Sequence, residues 1–339
     1  MVDFLFIAGY KMRVGIIGIG AIAQLHIPAL LNAGQNIVAI CDIDSSKCLA
    51  AIEKFNLKAN VYEDYKKMLD CEKLDAVHVC TPHYLHAQMV CYALNRNINV
   101  LCEKPIAISF EQLDDIREAV AKSTAQLGVC QQNRFKASMQ FVKDYFKDKE
   151  ITAASGYLCW QRDKKYYESG DWRGKKATEG GGVVINQALH TLDLLQWFCG
   201  MPISVIGHTV NDTLKDVIDV EETAFGIFKL KNGGRFVLNA TNASATSFPI
   251  TIMLHSKNDN AVIIDDNIIL NGKFLTKSDG LPLFGKEVWG VGHIVLIKDY
   301  YGALQSNKKF EIDFEEAKKV VILLLNLYQS NGEEIILER

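Results

Sequence analysis

Two glycines, an aspartate and a lysine carry the most legible chemistry in this chain. Gly18-Ile19-Gly20-Ala21-Ile22-Ala23 reads G-x-G-x-x-A, directly after the apolar run "RVGII" and before a helix-like segment. The first glycine permits a tight turn, the second lets the backbone approach a pyrophosphate, and the small Ala23 lets a helix pack on a sheet. The N–H groups opening that helix, at Ala21 and Ile22 among others, then face an anion. Asp42 ends the next apolar run, "NIVAICD", about 20 residues on, where an acid meets ribose hydroxyls. A carboxylate there repels a ribose 2′-phosphate, and neither Ile43 nor Asp44 offers a guanidinium to receive one. The expectation is NAD, with NADP disfavoured.

The lysine stands in "LCEKPIAIS", Leu101 to Ser109. Leu101 and Cys102 read as buried strand, and Pro105 cannot donate a ladder hydrogen bond, so the strand stops at Glu103-Lys104. In a doubly wound sheet, ligands bind along the carboxyl edge of the strands. An ammonium there can hold a substrate hydroxyl, stabilise a developing alkoxide and help pass its proton. Glu103 can anchor the same loop. A strand-end lysine reaching water is the alternative. "TPHYLH" lies on the same edge after the strand "LDAVHVC", so Thr81, Pro82, His83 and His86 are expected beside the cofactor. His83 and His86 also have the spacing of a metal pair, but no acid or cysteine joins them, and no metal is expected.

The elements that must position these groups alternate. Strand-like runs at "RVGII", "NIVAIC", "LDAVHVC" and "INVLC" are each followed by an amphipathic helical segment, such as "SSKCLAAIEKF" with serine at its start, or "SFEQLDDIREAVAKS". That order predicts parallel β-α-β units in an α/β Rossmann dinucleotide-binding domain, placed at residues 12–132. After about residue 133 the rhythm changes. "FVLNATNASA", "FPITIMLHS" and "NAVIIDDNIILNGKF" follow closely, with turns at Asn232-Gly233 and Asn271-Gly272. Residues 133–339 are therefore expected to form an α+β domain with a mainly antiparallel sheet, flanked by "VVINQALHTLDLLQWFC", "GHIVLIKDYYGAL" and "FEEAKKVVILLLNLYQS".

Composition bounds the function. With 339 residues, 49% hydrophobic, the chain has material for two domains, and its net charge of −3 argues against a nucleic-acid partner. Nine cysteines, without a C-x-x-C pair and several within strand-like runs, read as reduced core residues of a cytoplasmic protein. No apolar run approaches the roughly 20 residues of a membrane span. "FLFIAGY" near the start lacks a basic leader and makes a poor signal peptide, whereas "MRVGIIGIG" from Met12 reads as a natural beginning.

G-x-G-x-x-A, the acid after the second strand, "TPHYLH" and "EKP" together resemble the glucose–fructose oxidoreductase, inositol dehydrogenase and MocA (Gfo/Idh/MocA) family, over nearly the whole chain. "EGGGVVINQALHTLDLLQWFCG", Glu179 to Gly200, resembles its second-domain signature. Asn186 and His190 are four apart and share a helix face, with Asp193 close to it. The resemblance implies that this helix delivers His190 to a substrate carbinol opposite Lys104, as a base or proton relay. A buried histidine capping neighbouring backbone is the structural alternative. Many inositol-type members carry an aspartate at the place of Asn186; that departure weakens the case for an acid-assisted pair and leaves Lys104 and His190 as the main candidates. The resemblance also implies pairing through the second-domain sheet, as a homodimer or homotetramer.

For substrate, the resemblance implies a sugar-type secondary alcohol. The pattern "INQALHTLDLLQW" is similar to sugar-nucleotide members acting on UDP-N-acetylglucosaminuronate. Upstream, "WQRDKKYYESGDWRGKK" carries Arg162, Lys164, Lys165, Arg173, Lys175 and Lys176 with Trp172 and other aromatics among them; the cations suit a diphosphate or carboxylate, and the rings a sugar or base. A solvated or intersubunit loop is the alternative. His293, at a helix start, is expected to meet substrate as in family members. Inositol, free-aldose and dihydrodiol oxidation stay open, as does a non-catalytic NAD-sensing regulator, which would be expected to lack the lysine or the histidine.

Overall fold

A computed structural model describes residues 11–277, 280 and 291–337; the start segment "FLFIAGY" lies outside the described residues. Six strands form the first sheet: β1 (Arg13–Ile17), β2 (Asn36–Cys41), β3 (Asn60–Tyr62), β4 (Ala76–Val79), β5 (Asn99–Cys102) and β6 (Leu127–Val129). Their order is β3-β2-β1-β4-β5-β6, with every pair parallel. This is the Rossmann order, whose ligand crevice opens where the winding reverses, between β1 and β4. β1, β2, β4 and β5 are buried almost throughout, as expected of parallel strands covered by helices on both faces. The helix Ser45–Phe55 is capped by Asp44, which accepts from Ser46 N–H, rather than by the serine expected from sequence.

The second sheet has nine strands: β7 (Ile151–Cys159), β8 (Ser204–Val210), β9 (Thr223–Lys229), β10 (Arg235–Thr241), β11 (Thr251–Ser256), β12 (Asn260–Ile264), β13 (Asn267–Leu270), β14 (Lys273–Thr276) and β15 (Ile335–Ile336). Their order is β14-β13-β12-β11-β7-β10-β9-β8-β15. All neighbours are antiparallel except β7 and β10. Asn271 and Gly272, at φ +49° and +77°, make the tight turn between β13 and β14. One face of the sheet is covered by the helices Leu189–Cys199 and Phe314–Ser330. β7 admits the first of these because Gly156 has no side chain; a Cβ there would lie 2.5 Å from Thr191 Cγ2. The opposite face alternates outward, and Ile206, Ile227, Val237 and Met253 remain exposed upon it.

The helix Gly292–Gln305 follows the second sheet in sequence but packs on the first domain. His78 Nε2 lies 3.0 Å from the hydroxyl of its Tyr301, and the next segment runs beside β6, with Val129 N–H donating to Ile312 O.

Candidate active site

The glycine loop fits a dinucleotide. Gly18 has φ +88°, and a Cβ there would meet Cys80 O at 2.7 Å, so the turn presses on the end of β4. A Cβ at Gly20 would meet nothing within 4 Å, which leaves its backbone open to an approaching pyrophosphate. The helix Ala23–Asn32 begins without a side-chain cap, so its first N–H groups, beside Ala21 and Ile22, are available to an anion. Asp42 follows β2 and accepts from Ile19 N–H at 2.8 Å and Asp44 N–H at 3.0 Å, which fixes the carboxylate against the loop. Thr81 and Pro82 stand half-buried on the neighbouring edge.

Lys104 follows β5 on that same edge. Its Nζ donates to the Asn186 carbonyl at 2.9 Å, across from the first domain to the second. Burial, opposed by Glu103 and assisted by Arg173, lowers its pKa. Asn186 lies in a π-helical turn, Val184–Ala188, that continues into the helix Leu189–Cys199; such turns often sit at functional sites. His190 is in the first turn of that helix and its Nε2 lies 3.3 Å from Gln132 Nε2. Burial and the charge of Lys104 hold the His190 pKa well below 6.5, so the ring is neutral near pH 7. Asp193 does not join the pair: Arg134 grips it at 2.7 and 2.6 Å, in a buried bidentate contact that locks the helix in place.

The aromatic and cationic stretch folds onto the same cleft. The guanidinium carbons of Arg162 and Arg173 lie 4.7 and 4.8 Å from the Tyr166 ring centre, on which both stack. Arg173 also stacks on Trp172, whose ring centre is 4.7 Å from that of His83. Tyr166 OH accepts from Arg173 at 2.7 Å and from Gln187 at 2.8 Å. Neither arginine forms an ion pair among the described residues, and Arg162 Nε is buried without a partner. Beneath them Glu179 is buried; its carboxylate accepts from Gly174 N–H and from the Asn186 amide. Sequence reasoning gave Tyr166, Glu179, Gln132 and Gln187 no individual role, although all but Gln132 lie inside motifs already singled out.

Four expectations change. His83 is buried, with Nδ1 3.0 Å from the Glu179 carbonyl, so it joins the cofactor edge to the second domain. His86 is fully buried, each nitrogen 2.7 Å from a backbone carbonyl, of Pro105 and of Thr81; it shapes the loops and has no nitrogen left for a cofactor. Glu103 turns inward rather than toward the cofactor. Its Oε1 lies 2.8 Å from His26 Nε2 and 3.0 Å from His293 Nε2. His293 is therefore buried under the edge instead of meeting substrate. His26 Nδ1 continues the chain to His78 Nδ1 at 2.8 Å. Burial alone would lower the His26 pKa, but Cys80 and Glu103 reverse the sign and push it up to about 10. Donor atoms of His26, Glu103, Cys130 and His293 lie within 4.8 Å of one another, a set with the composition of a metal site. Here the two imidazoles are already committed to the one carboxylate oxygen.

The comparisons agree with this geometry. Residues 12–131 match the oxidoreductase family with an NAD-binding Rossmann fold, and residues 150–259 match the GFO/IDH/MocA C-terminal domain. D-glucoside 3-dehydrogenase of Escherichia coli (strain K12) is 27% identical over 296 residues, 82% of this chain and 78% of that protein. Inositol 2-dehydrogenase of Salmonella typhimurium is 33% identical over 114 residues, about a third of each chain (33% and 34%). Among solved structures, the WlbA dehydrogenase from Bordetella pertussis in complex with NADH and UDP-GlcNAcA superposes with a TM-score of 0.85 at 26% identity, covering 97% of this chain and 100% of that one. Levoglucosan dehydrogenase, at 18% identity and a TM-score of 0.87 over 97% and 100% of the two chains, shares the fold. The chain belongs to the Gfo/Idh/MocA family of NAD-dependent oxidoreductases.

Proposed function

We propose that this enzyme oxidises a secondary alcohol of a pyranose-type sugar, with an anionic, nucleotide-linked sugar ahead of inositol or a free aldose. The observation that carries the anion preference is the pair Arg162 and Arg173, stacked on Tyr166 beside Lys104 and without a carboxylate ion pair among the described residues. A free polyol needs no such pair; a diphosphate or uronate does. The 26% identical WlbA structure, which holds UDP-GlcNAcA, supports the same reading.

Bound NAD would supply the hydride acceptor for the carbinol carbon. Gly18, Gly20 and the helix start after Ile22 would hold its pyrophosphate, Asp42 its ribose, and Thr81 and Pro82 would line the edge beyond. Lys104 holds the substrate hydroxyl in place of the Asn186 carbonyl and stabilises the developing negative oxygen. Neutral His190 takes the hydroxyl proton. Retention of both groups favours an enzyme over a nucleotide-sensing regulator. The nine unpaired cysteines favour a reducing compartment such as the cytoplasm; among the described residues no helix is long and apolar enough to cross a membrane. The division into a cofactor domain, 12–132, and a substrate and assembly domain, 133–339, follows the two sheets, apart from the returning helix Gly292–Gln305.

The assembly is a homodimer or homotetramer built on the exposed sheet face. Ile206, Ile227 and Val237 are direct cross-strand neighbours, and Ser155 continues the row to Met253. A row across five strands, apolar on four of them and interrupted only by Ser155, is an association surface for a second copy.

Thermal-shift screening with NADH present tests the substrate. A ligand at ~100 times its Kd stabilises by about 2.7 kcal/mol. UDP-N-acetylglucosaminuronate should shift the transition, and Arg162→Ala with Arg173→Ala should remove the shift. A response to inositol or a free aldose alone would overturn the anionic reading.

A further inference from the structure

We propose that Glu179 is a positioning residue of this site: by accepting from the Asn186 side-chain amide and from Gly174 N–H, it aims the Asn186 side-chain oxygen, Oδ1, at the substrate and holds the Arg173 segment over the cleft. The inference rests on the reading of this cleft as the sugar site. Three observations carry it. Asn186 Nδ2 donates to Glu179 and lies 3.4 Å from Tyr166 OH, so the amide nitrogen is committed and Oδ1 has no protein donor among the described residues. An acceptor beside Lys104 and His190 suits a sugar hydroxyl, which must donate. Glu179 also touches three separate parts of the site. Its carboxylate holds Gly174, directly after Arg173; its side chain holds Asn186; its backbone carbonyl lies 3.0 Å from His83 Nδ1.

The contact also depends on charge. A carboxylate can only accept, whereas a neutral carboxyl can donate to Asn186 Oδ1 and let the amide turn over. Burial pushes the Glu179 pKa up to about 7, against the pull of Gly174, Asn186 and Arg173. The other groups facing it are Lys104, the buried and neutral His83, the phenols of Tyr166, Tyr167 and Tyr328, and Glu221. Burial also raises Glu221, but its oxygens are taken by Gly182 N–H, Val184 N–H and Tyr328 OH. Ionised Glu179 is the aligned form. Substrate binding should therefore weaken as pH falls through about 7, while NADH binding does not change.

Two readouts separate this inference from the substrate reading. In protein labelled with 15N-asparagine, the side-chain amide signal of Asn186, assigned by its loss in Asn186→Asp, should move with a midpoint near pH 7. That movement should vanish in Glu179→Gln. With UDP-N-acetylglucosaminuronate, Glu179→Gln should raise KM at least tenfold at pH 8 with a smaller change in kcat, and should lose the rise in KM toward low pH. Glu179→Asp should recover part of the loss. An Asn186 signal indifferent to both pH and Glu179→Gln overturns the inference, as does a KM limb that survives in that variant, which would assign it to Glu221. If the amide signal titrates as described but neither this sugar nor a free D-glucoside turns over, the substrate reading fails and the positioning role stands.

Discussion

Lys104 Nζ and the main-chain carbonyl of Asn186 meet at 2.9 Å, so the edge of the first sheet and the π-helical turn of the second domain share one hydrogen bond. In the proposed reaction the substrate hydroxyl replaces that bond. Lys104→Met should therefore lower turnover by at least about 100-fold, the scale of a proton-transferring group. NADH binding, followed by its fluorescence, should stay nearly unchanged. A fully active variant would leave Lys104 as a mere tie between domains.

His190 is held neutral by burial and by the nearby ammonium. A base with a lowered pKa is lost only in acid, so kcat for alcohol oxidation should fall on a limb well below pH 6.5, apart from the rise in KM near pH 7 assigned to Glu179. His190→Asn should lose that limb together with rate. Persistence of the limb in the variant would assign it to another group.

Asp42 fastens the glycine loop through Ile19 N–H and, in the proposed cofactor site, holds the ribose. Removing its carboxylate in Asp42→Ala should weaken NAD by roughly 10- to 100-fold, the worth of a hydrogen bond to a charged group, and should relax discrimination against NADP. Titrating both cofactors against both proteins checks this. Equal affinities in the unaltered protein would remove Asp42 from cofactor selection.

Glu103→Gln should destabilise the fold by about 3–5 kcal/mol, because it leaves the buried His26 proton without its carboxylate. The pH dependence has two signs. Burial would raise the Glu103 pKa, but His26 and His293 lower it strongly, so its contribution is present above the ordinary carboxylate pKa and lost as pH falls. The His26 pKa is raised, so its contribution is complete below about 6.5 and lost as pH rises through about 10. Thermal unfolding across pH should show both losses in the unaltered protein; in the variant the acid loss should vanish and the alkaline loss should shrink to the part that Cys80 sustains.

Ile227 sits mid-row on the exposed sheet face, between Ile206 and Val237. Ile227→Lys should yield monomers by light scattering without a change in NADH affinity. A monomeric unaltered protein at micromolar concentration would refute assembly through this face.

Much of this was legible in the sequence, for physical reasons. β1, β2, β4 and β5 are short apolar runs because they are buried on both faces, and the Gly18 turn and Asp42 are fixed by backbone geometry. β3 and β6 were invisible, since three residues show no period. β7 gave no strand signal, since "AASG" lacks the β-branched and aromatic residues that mark strands; its Gly156 makes room for Thr191 and Leu195 of the histidine helix. The lysine–histidine pairing came from the family resemblance alone; in the structure the charge of Lys104 reaches His190. The inward turn of Glu103, His86 and His293 was not, because sequence does not say which way a strand-end side chain points.

The returning helix sets an order on biosynthesis. His26, His78 and Glu103 emerge early from the ribosome, but His293 and Tyr301, which complete their hydrogen bonds, arrive nearly two hundred residues after Glu103. Until then the nascent first domain carries an imidazole–carboxylate pair without its cover. Since domains fold as units during synthesis, N-terminal first, the cofactor half should persist as a loosened intermediate that tightens only when the chain is nearly finished. A chain ending before residue 291 would lack those partners and leave that polar cluster, which lies under Lys104, open to water.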